Sequence, residues 1–262
     1  MSVTKRIMKE ELKRGETLLG IGILSNNTDF VEVAGMAGFD FIYLDREHTT
    51  VSWETLKGLI VAADAVNTPV IVRVEENDVI MIRKALEVGA QGILIPHVNT
   101  KEEALRAVRA AKFPPEGVRG AELNVRSGRF STKDWKTYVD ETDRETLVSI
   151  LIEDREAMKH IDDVLSVEGL DAVCFGPVDY SFSMGLSGDR EHPLVQRDFD
   201  ILIKKCKERG IFVQYTPVPQ DLSSVKSAIE RGVSMLFLGD DLSAFQLRCI
   251  DLIENVYKKI KG

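Results

Sequence analysis

The chain has 262 residues, of which 44% are hydrophobic and 29% charged, a composition typical of a folded protein with a large core. It carries 34 basic and 42 acidic side chains, and the formal net charge of −8 argues against nucleic acid or an anionic membrane surface as a partner. Three cysteines without CxxC spacing argue against a disulfide framework or a zinc knuckle, and we expect a cytoplasmic protein with no secretory signal and no membrane span.

Short apolar runs rich in Val, Ile and Leu recur along the chain, each followed by a longer helical pattern. Their hydrophobicity is nearly continuous, as in parallel strands that are covered on both faces. The eight runs are 18–24, 39–45, 70–74, 92–96, 147–153, 172–176, 211–216 and 235–239. Eight β–α units in a chain of this length predict one α/β domain over residues 1–262, a (β/α)8 TIM barrel. A doubly wound sheet is the competing fold, but no GxGxxG follows the first run.

The helical patterns carry their own start and stop signals. Thr100 and Glu103 form a capping box, and Asp78 opens a helix that Gly89 ends. Near the C-terminus, apolar residues step by three or four and predict a helix with one buried face. These residues are Leu242, Phe245, Cys249, Ile253 and Val256.

One connection is long and runs from Pro96 to the strand that ends at Glu153. It contains a helix, the loop 113–120 and a polar region that extends to Arg144. Loops of this size in a compact domain usually serve as lids or interfaces, and we expect one of these roles here.

Polar side chains gather at one end of the otherwise apolar runs. The active site of a TIM barrel lies at the C-terminal ends of the strands, so these residues are the candidates for function. Glu153 and Asp179 stand at the ends of the fifth and sixth runs. Two carboxylates from adjacent strands, with positions left for water and ligand, suit Mg²⁺ or Mn²⁺. The alternative is that either acid caps the helix after its strand.

Three further candidates follow the second and third runs. Arg73 would place a cation at the mouth of the barrel, to hold the oxygens of an anionic substrate and a developing enolate. The alternative for this arginine is a buried ion pair with Glu75, Glu76 or Asp45. Asp45 and His48 lie on one short loop, where the carboxylate would orient the imidazole for acid–base chemistry.

The remaining reactive side chains fit ordinary roles more often than catalytic ones. His97 follows the fourth run, and the sequence favours neither a catalytic nor an ordinary role for it. His160 and His192 suit ordinary helix and loop positions. Cys174 lies inside an apolar strand and suits the core. None of the eight runs ends in lysine, which argues against Schiff-base chemistry and for a metal as the electron sink.

An ordered set of segments extends over most of the chain: 37–40, 44–48, 69–73, 89–96, 113–120, Glu153 and 176–185. Together they resemble the HpcH/HpaI aldolase family, the metal-dependent class II aldolases of 4-hydroxy-2-oxo acids. The resemblance implies that Glu153 and Asp179 bind a divalent metal, Mg²⁺ or Mn²⁺ with Co²⁺ as a further candidate. It also implies that this metal chelates the 2-oxo acid through its carboxylate and keto oxygens.

The same resemblance assigns roles around the metal. Arg73 would stabilise the enolate, and His48, oriented by Asp45, would assist proton transfer with a metal-bound water. We expect the substrate to contact four residues, namely Gly176, Pro177, Val178 and Leu151. Members of the family are usually hexamers with sites near subunit contacts, so a homo-oligomer is implied as well.

Three positions depart from the family pattern. Arg46 and Glu122 stand where an uncharged residue and a glycine are usual, and Leu151 stands where the family commonly has Gln. Side chains alternate along a strand, so Leu151 should lie beneath Glu153 on the same face.

The predicted activity is cleavage of a 4-hydroxy-2-oxo acid to pyruvate, or a close 2-oxo acid, and an aldehyde. The alternatives are a lyase of the citramalyl- or malyl-CoA type and a non-catalytic paralogue that binds 2-oxo acids.

Overall fold

All eight apolar runs form parallel strands in the computed structural model, which describes residues 6–261. The strands are β1 (Leu18–Ile23), β2 (Phe41–Asp45), β3 (Val70–Arg73), β4 (Gly92–Ile95), β5 (Leu147–Ile152), β6 (Ala172–Phe175), β7 (Phe212–Tyr215) and β8 (Met235–Asp240). They close in chain order, with β8 paired to β1, so the predicted TIM barrel is confirmed.

Helices alternate with the strands and surround the barrel. They are α1 (Met8–Lys13), α2 (Thr28–Ala37), α3 (Trp53–Ala65), α4 (Val79–Glu87), α5 (Lys101–Ala111), α6 (Trp135–Glu145), α7 (Arg155–Lys159), α8 (Ile161–Val164), α9 (Pro177–Ser183), α10 (Pro193–Glu208), α11 (Leu222–Arg231), α12 (Asp241–Leu252) and α13 (Lys258–Lys261), with a π-helical turn at Ile253–Tyr257 between the last two. None of the described helices is both long and apolar enough to cross a bilayer.

Side-chain signals set the helix ends as the sequence predicts. Thr100 and Glu103 form the capping box of α5. Asp78 accepts hydrogen bonds at the start of α4, and Gly89 follows that helix with φ +111°, a left-handed conformation that favours glycine.

The barrel side chains divide into two apolar layers. Along β5, Ile150 and Ile152 pack outward with the helices, whereas Leu147 and Leu151 belong to the cluster inside the barrel. The predicted position of Leu151 on the inner face is therefore confirmed. Met8 of α1 joins the inner cluster, so α1 covers the end where the strands begin and the lumen opens at their carboxyl ends.

The long connection contains more helix than the sequence suggests, because the predicted polar region includes α6. Residues 112–134 between α5 and α6 are irregular and pack beside the amino ends of the strands. Arg119 is buried there at 2% exposure, and its Nη2 donates to the Tyr138 hydroxyl at 2.9 Å. A role of this segment as a lid or interface remains a prediction.

The C-terminal helix forms as predicted, but its predicted burial is wrong. Only Asp241 of α12 is buried, whereas Phe245 is 64% exposed and Ile260 of α13 is 77% exposed. The apolar face that the periodicity indicates is real, but no described part of this chain covers it. Apolar periodicity identifies the face of a helix that is suited to burial, but it does not show whether the same chain or another chain packs against that face.

Candidate active site

A cavity of about 370 Å³ opens at the carboxyl ends of the strands. The predicted site residues that line it are Asp45, Arg73, Leu151, Glu153, Gly176, Pro177, Val178 and Asp179. His48 is the predicted site residue that does not line it. All eight strands contribute, because each brings a residue of its own or its immediate successor to this mouth.

The two predicted metal ligands flank the end of β6. Glu153 directly follows β5 and is 7% exposed, and Asp179 lies in the first turn of α9. Neither acid caps a helix, because Asp154 caps α7 and α9 has no side-chain cap. The Asp179 carboxylate makes no hydrogen bond or ion pair with any residue in 6–261.

Burial raises the pKa of Glu153, and the nearby charges of Glu47 and Asp179 act in the same direction. The backbone N–H of His97 and its imidazole charge oppose this shift. A further positive charge near Glu153 would therefore stabilise the ionised form of its carboxylate.

Arg73 is held in place by two carboxylates. Its Nε and Nη2 donate to the two oxygens of Asp45 at 2.8 and 2.6 Å, and its Nη1 lies 2.9 Å from Glu47 Oε2. Burial works against the charged guanidinium, but the hydrogen bonds to Asp45 and the charges of Tyr43, Asp45 and Glu47 together outweigh it and raise the pKa of Arg73. The ion pair that the sequence left as an alternative is thus present, and the same side chain also lines the cavity.

The predicted contact between Asp45 and His48 is wrong. Both Asp45 oxygens bind Arg73, and one also accepts from the backbone N–H of Glu47. The His48 side chain is 67% exposed, and its Nε2 lies 3.7 Å from Glu47 Oε2. The fixed guanidinium on the neighbouring strand is a stronger partner for a buried carboxylate than an imidazole on the loop.

His97 connects the two sides of the site. Its Nε2 lies 3.0 Å from Glu47 Oε1, and its Nδ1 lies 2.9 Å from Glu153 Oε1. Its backbone N–H donates to the same Glu153 oxygen at 3.0 Å, in a left-handed conformation with φ 56°. A continuous chain of polar contacts therefore runs from Asp45 through Arg73, Glu47 and His97 to Glu153.

Two departures from the family pattern lie away from the cavity. Arg46 donates to Glu75 Oε1 at 2.6 Å and stacks on Trp53 at 3.8 Å, so it ties the loop after β2 to the end of β3. Glu122 is exposed and accepts from the Asn124 backbone in the irregular segment. Neither side chain lines the cavity.

Leu151 forms part of the cavity floor beside Gly176. A Cβ placed on Gly176 would come within 3.0 Å of the Glu153 Cβ and 3.4 Å of Leu151 Cδ1. Glycine thus leaves room for the Glu153 carboxylate where the chain turns from β6 into α9. Cys174 lies in the same inner layer, and burial raises the pKa of its thiol to about 12, which fits the predicted core role.

Sequence reasoning missed several residues that the fold brings to this cavity. Tyr43 on β2 lies beneath Arg73, whose guanidinium is 5.8 Å from the ring centroid. Arg190 and Gln220 reach the mouth from loops that follow α9 and β7. Residues far from a strand end in sequence give no positional signal, so only the three-dimensional arrangement reveals them.

The donor set fits a hard divalent cation. Within residues 6–261, no three His, Cys, Asp or Glu side chains come together as a group that could hold a metal. Mg²⁺ usually takes one or two carboxylates and completes its shell with water and substrate, which matches Glu153 and Asp179 at an open cavity. The raised pKa of Glu153 and the unpaired Asp179 carboxylate are observations that fit such an ion.

The sequence profile of the HpcH/HpaI aldolase/citrate lyase family matches residues 19–246. The chain is 30% identical to a 2-dehydro-3,6-dideoxy-6-sulfogluconate aldolase of Pseudomonas putida, over 92% of this chain and 93% of that protein. It is 35% identical to a 4-hydroxy-2-oxo-heptane-1,7-dioate aldolase of Shigella sonnei, over 77% of each. The crystal structure of an HpcH/HpaI aldolase from Desulfitobacterium hafniense superposes with a TM-score of 0.90 at 30% identity, over 95% of this chain and 96% of that one.

Proposed function

Because this chain belongs to the HpcH/HpaI aldolase/citrate lyase family and is a carbon–carbon lyase of the aldolase class, we propose that it cleaves a 4-hydroxy-2-oxo acid. The products are pyruvate, or a close 2-oxo acid, and an aldehyde. The observation that carries this proposal is the joint position of Glu153, Asp179 and Arg73 around one cavity at the carboxyl ends of the strands.

Glu153 and Asp179 would hold the divalent cation, Mg²⁺, Mn²⁺ or Co²⁺. A cation there supplies Lewis-acid polarisation of the 2-oxo carbonyl, which makes C3 able to leave as an enolate. Gly176, Pro177 and Val178 form the adjacent wall of the cavity, and we assign the pyruvyl half of the substrate to this wall.

The bond changes set the tasks of the other residues. A base removes the proton of the C4 hydroxyl, the C3–C4 bond breaks, and its electron pair moves into the pyruvate enolate while the aldehyde leaves. A proton then returns to C3 of the enolate and gives pyruvate. Arg73 would hold the enolate oxygen, and Asp45 and Glu47 keep its guanidinium in position. Because His48 does not line the cavity, we assign it proton transfer through a bound water, with Glu47 rather than Asp45 as the carboxylate next to it.

We also propose a homo-oligomer. The exposed apolar residues of the C-terminal helix are Leu242, Phe245, Leu247, Ile250, Leu252, Ile253, Val256, Tyr257 and Ile260. A continuous apolar surface of this kind marks a protein interface, and a second copy of the chain is the partner we assign to it.

The activity is tested with metal-stripped protein and a panel of 4-hydroxy-2-oxo acids. Pyruvate release should depend on added Mg²⁺, Mn²⁺ or Co²⁺ and should be absent in Glu153→Ala. Binding of the acids without any release would favour the non-catalytic paralogue, and undiminished release in metal-stripped protein would remove the metal from the proposal.

A further inference from the structure

The active-site cavity contains a second arginine on the side opposite Arg73. In the closed barrel of eight strands, β3 and β7 are four positions apart and therefore face each other. Arg190 lies in the loop after α9, and its Nη2 donates to the Tyr215 hydroxyl at 2.9 Å and to the Thr216 carbonyl at 2.5 Å. These contacts fix the guanidinium at the end of β7.

Among the described residues, a single and largely exposed carboxylate is the charged partner of Arg190. Its Nη2 partners are neutral, and its Nε lies 3.3 Å from Glu191, a side chain that is 64% exposed and does not line this cavity. Nη1 makes no hydrogen bond or ion pair with any residue in 6–261, and the buried Nε makes no hydrogen bond. Arg73, by contrast, is neutralised by two carboxylates.

The position of Arg190 is rigid. Its guanidinium lies 5.4 Å from the centroid of the Tyr215 ring, which in turn stacks on Phe199 at 4.5 Å. Its backbone carbonyl accepts from Gln196 Nε2 at 2.8 Å. A cation that is already ordered loses little entropy when it binds a ligand.

We propose that Arg190 binds a terminal oxyanion, a carboxylate or sulfonate, on the aldehyde half of the substrate. This inference rests on the proposed function, which places the pyruvyl half between Arg73 and the carboxylate pair. A substrate that extends across the mouth from there arrives at β7, where the planar fork of Arg190 matches two oxygens of such a group.

Three substrates that share the 4-hydroxy-2-oxo acid test this inference, one ending in a carboxylate, one in a sulfonate and one in a neutral amide. For Arg190→Gln, we expect kcat/KM to fall roughly 10- to 100-fold on the charged substrates, mainly through KM, and to change less than about threefold on the amide. Arg190→Lys should restore part of the loss. Arg197→Gln, on an exposed arginine of α10 that pairs with Asp198, is the matched control and should behave as wild type.

Equal losses on all three substrates, or no loss on the charged ones, would overturn the inference. A loss on only one charged substrate would identify which oxyanion the site prefers. If the wild-type protein turns over none of them, the proposed function fails, and calorimetric binding of the same compounds to wild type and Arg190→Gln then decides the role of Arg190 separately.

Discussion

Glu153 is the side chain on which the proposed metal site depends most. It is buried, its pKa is raised by that burial and by the charges of Glu47 and Asp179, and one of its oxygens is occupied by His97. We expect Glu153→Ala to remove tight Mn²⁺ binding, measured by calorimetry, together with pyruvate release. Thermal unfolding of the metal-free protein should change little, because the substitution also relieves repulsion between like charges.

Glu156→Ala is the matched control for this prediction, since Glu156 is a half-exposed acid one turn further along. Its ion-pair partners within residues 6–261 are Lys159 and His160. It should bind Mn²⁺ as wild type does. Retention of tight Mn²⁺ binding by Glu153→Ala would show that the cation is held elsewhere.

Arg73 combines a structural ion pair with the proposed catalytic contact, and a conservative substitution separates the two. Arg73→Lys keeps a charge for Asp45 and Glu47 but replaces the planar fork by a point charge. Loss of a donor to a developing oxyanion costs about 10²–10³ in rate, so we expect a fall of that size in kcat with a nearly unchanged melting temperature. A variant that unfolds, or one that is fully active, would favour a purely structural role.

Leu151 leaves the cavity floor apolar at the position beneath Glu153. A Gln there would hydrogen-bond a bound 2-oxo acid or a water at the cation, and we expect Leu151→Gln to raise the rate of pyruvate release from simple 4-hydroxy-2-oxo acids. Leu151→Met, which keeps an apolar side chain of similar size, should give no gain. If Leu151→Gln loses about 1–3 kcal/mol of stability with no gain in rate, the residue only packs the barrel.

The sequence predicts the strands well, and the reason is visible in the fold. Every strand is covered on both faces, so its hydrophobicity is continuous and each predicted boundary lies within two residues of the observed one. Glu153 and Asp179 could be placed at the mouth for the same reason, because Glu153 directly follows β5 and Asp179 lies four residues after the end of β6.

Contacts between loop side chains could not be predicted in this way. Asp45 and His48 are close in sequence, but Asp45 lies opposite Arg73 in the β2–β3 register. Asp45 therefore forms an ion pair with Arg73 rather than with His48. The sequence does not decide the role of His97, because its contacts with Glu47 and Glu153 depend on a left-handed backbone conformation that no pattern of residue types indicates.

The exposed apolar face of the C-terminal helix allows the proposed oligomer to be tested. Phe245 and Ile253 lie on the apolar face, and their replacement by Glu should convert the oligomer into smaller species, measured by light scattering during size-exclusion chromatography. Ala244→Glu adds the same type of charge at an exposed position on the opposite side of α12 and should leave the mass unchanged. A wild-type protein that is already monomeric would contradict the proposed oligomer.

The charge distribution of the whole molecule predicts the order in which the proposed ligands bind. The chain has a net charge of −8, and Asp45, Glu153, Asp179 and Asp240 line the cavity against two arginines. We therefore expect an anionic 2-oxo acid to bind weakly until a cation occupies the proposed metal site. We expect pyruvate to bind at least about tenfold more tightly with Mn²⁺ than in EDTA, measured by calorimetry. Equal affinity under both conditions would contradict this prediction, and Glu153→Ala should show no enhancement by Mn²⁺.

In the proposed oligomer, the uncovered C-terminal helix would also tie the thermodynamic stability of each subunit to the presence of its neighbours. If the apolar residues of α12 are buried only between copies, part of the free energy of folding is gained in a bimolecular step. Dilution then lowers the stability of the fold because it favours dissociated subunits, and the melting temperature should rise with the total protein concentration. A newly made chain would complete its hydrophobic burial only when it meets another, so the final stage of folding would be second order in the protein.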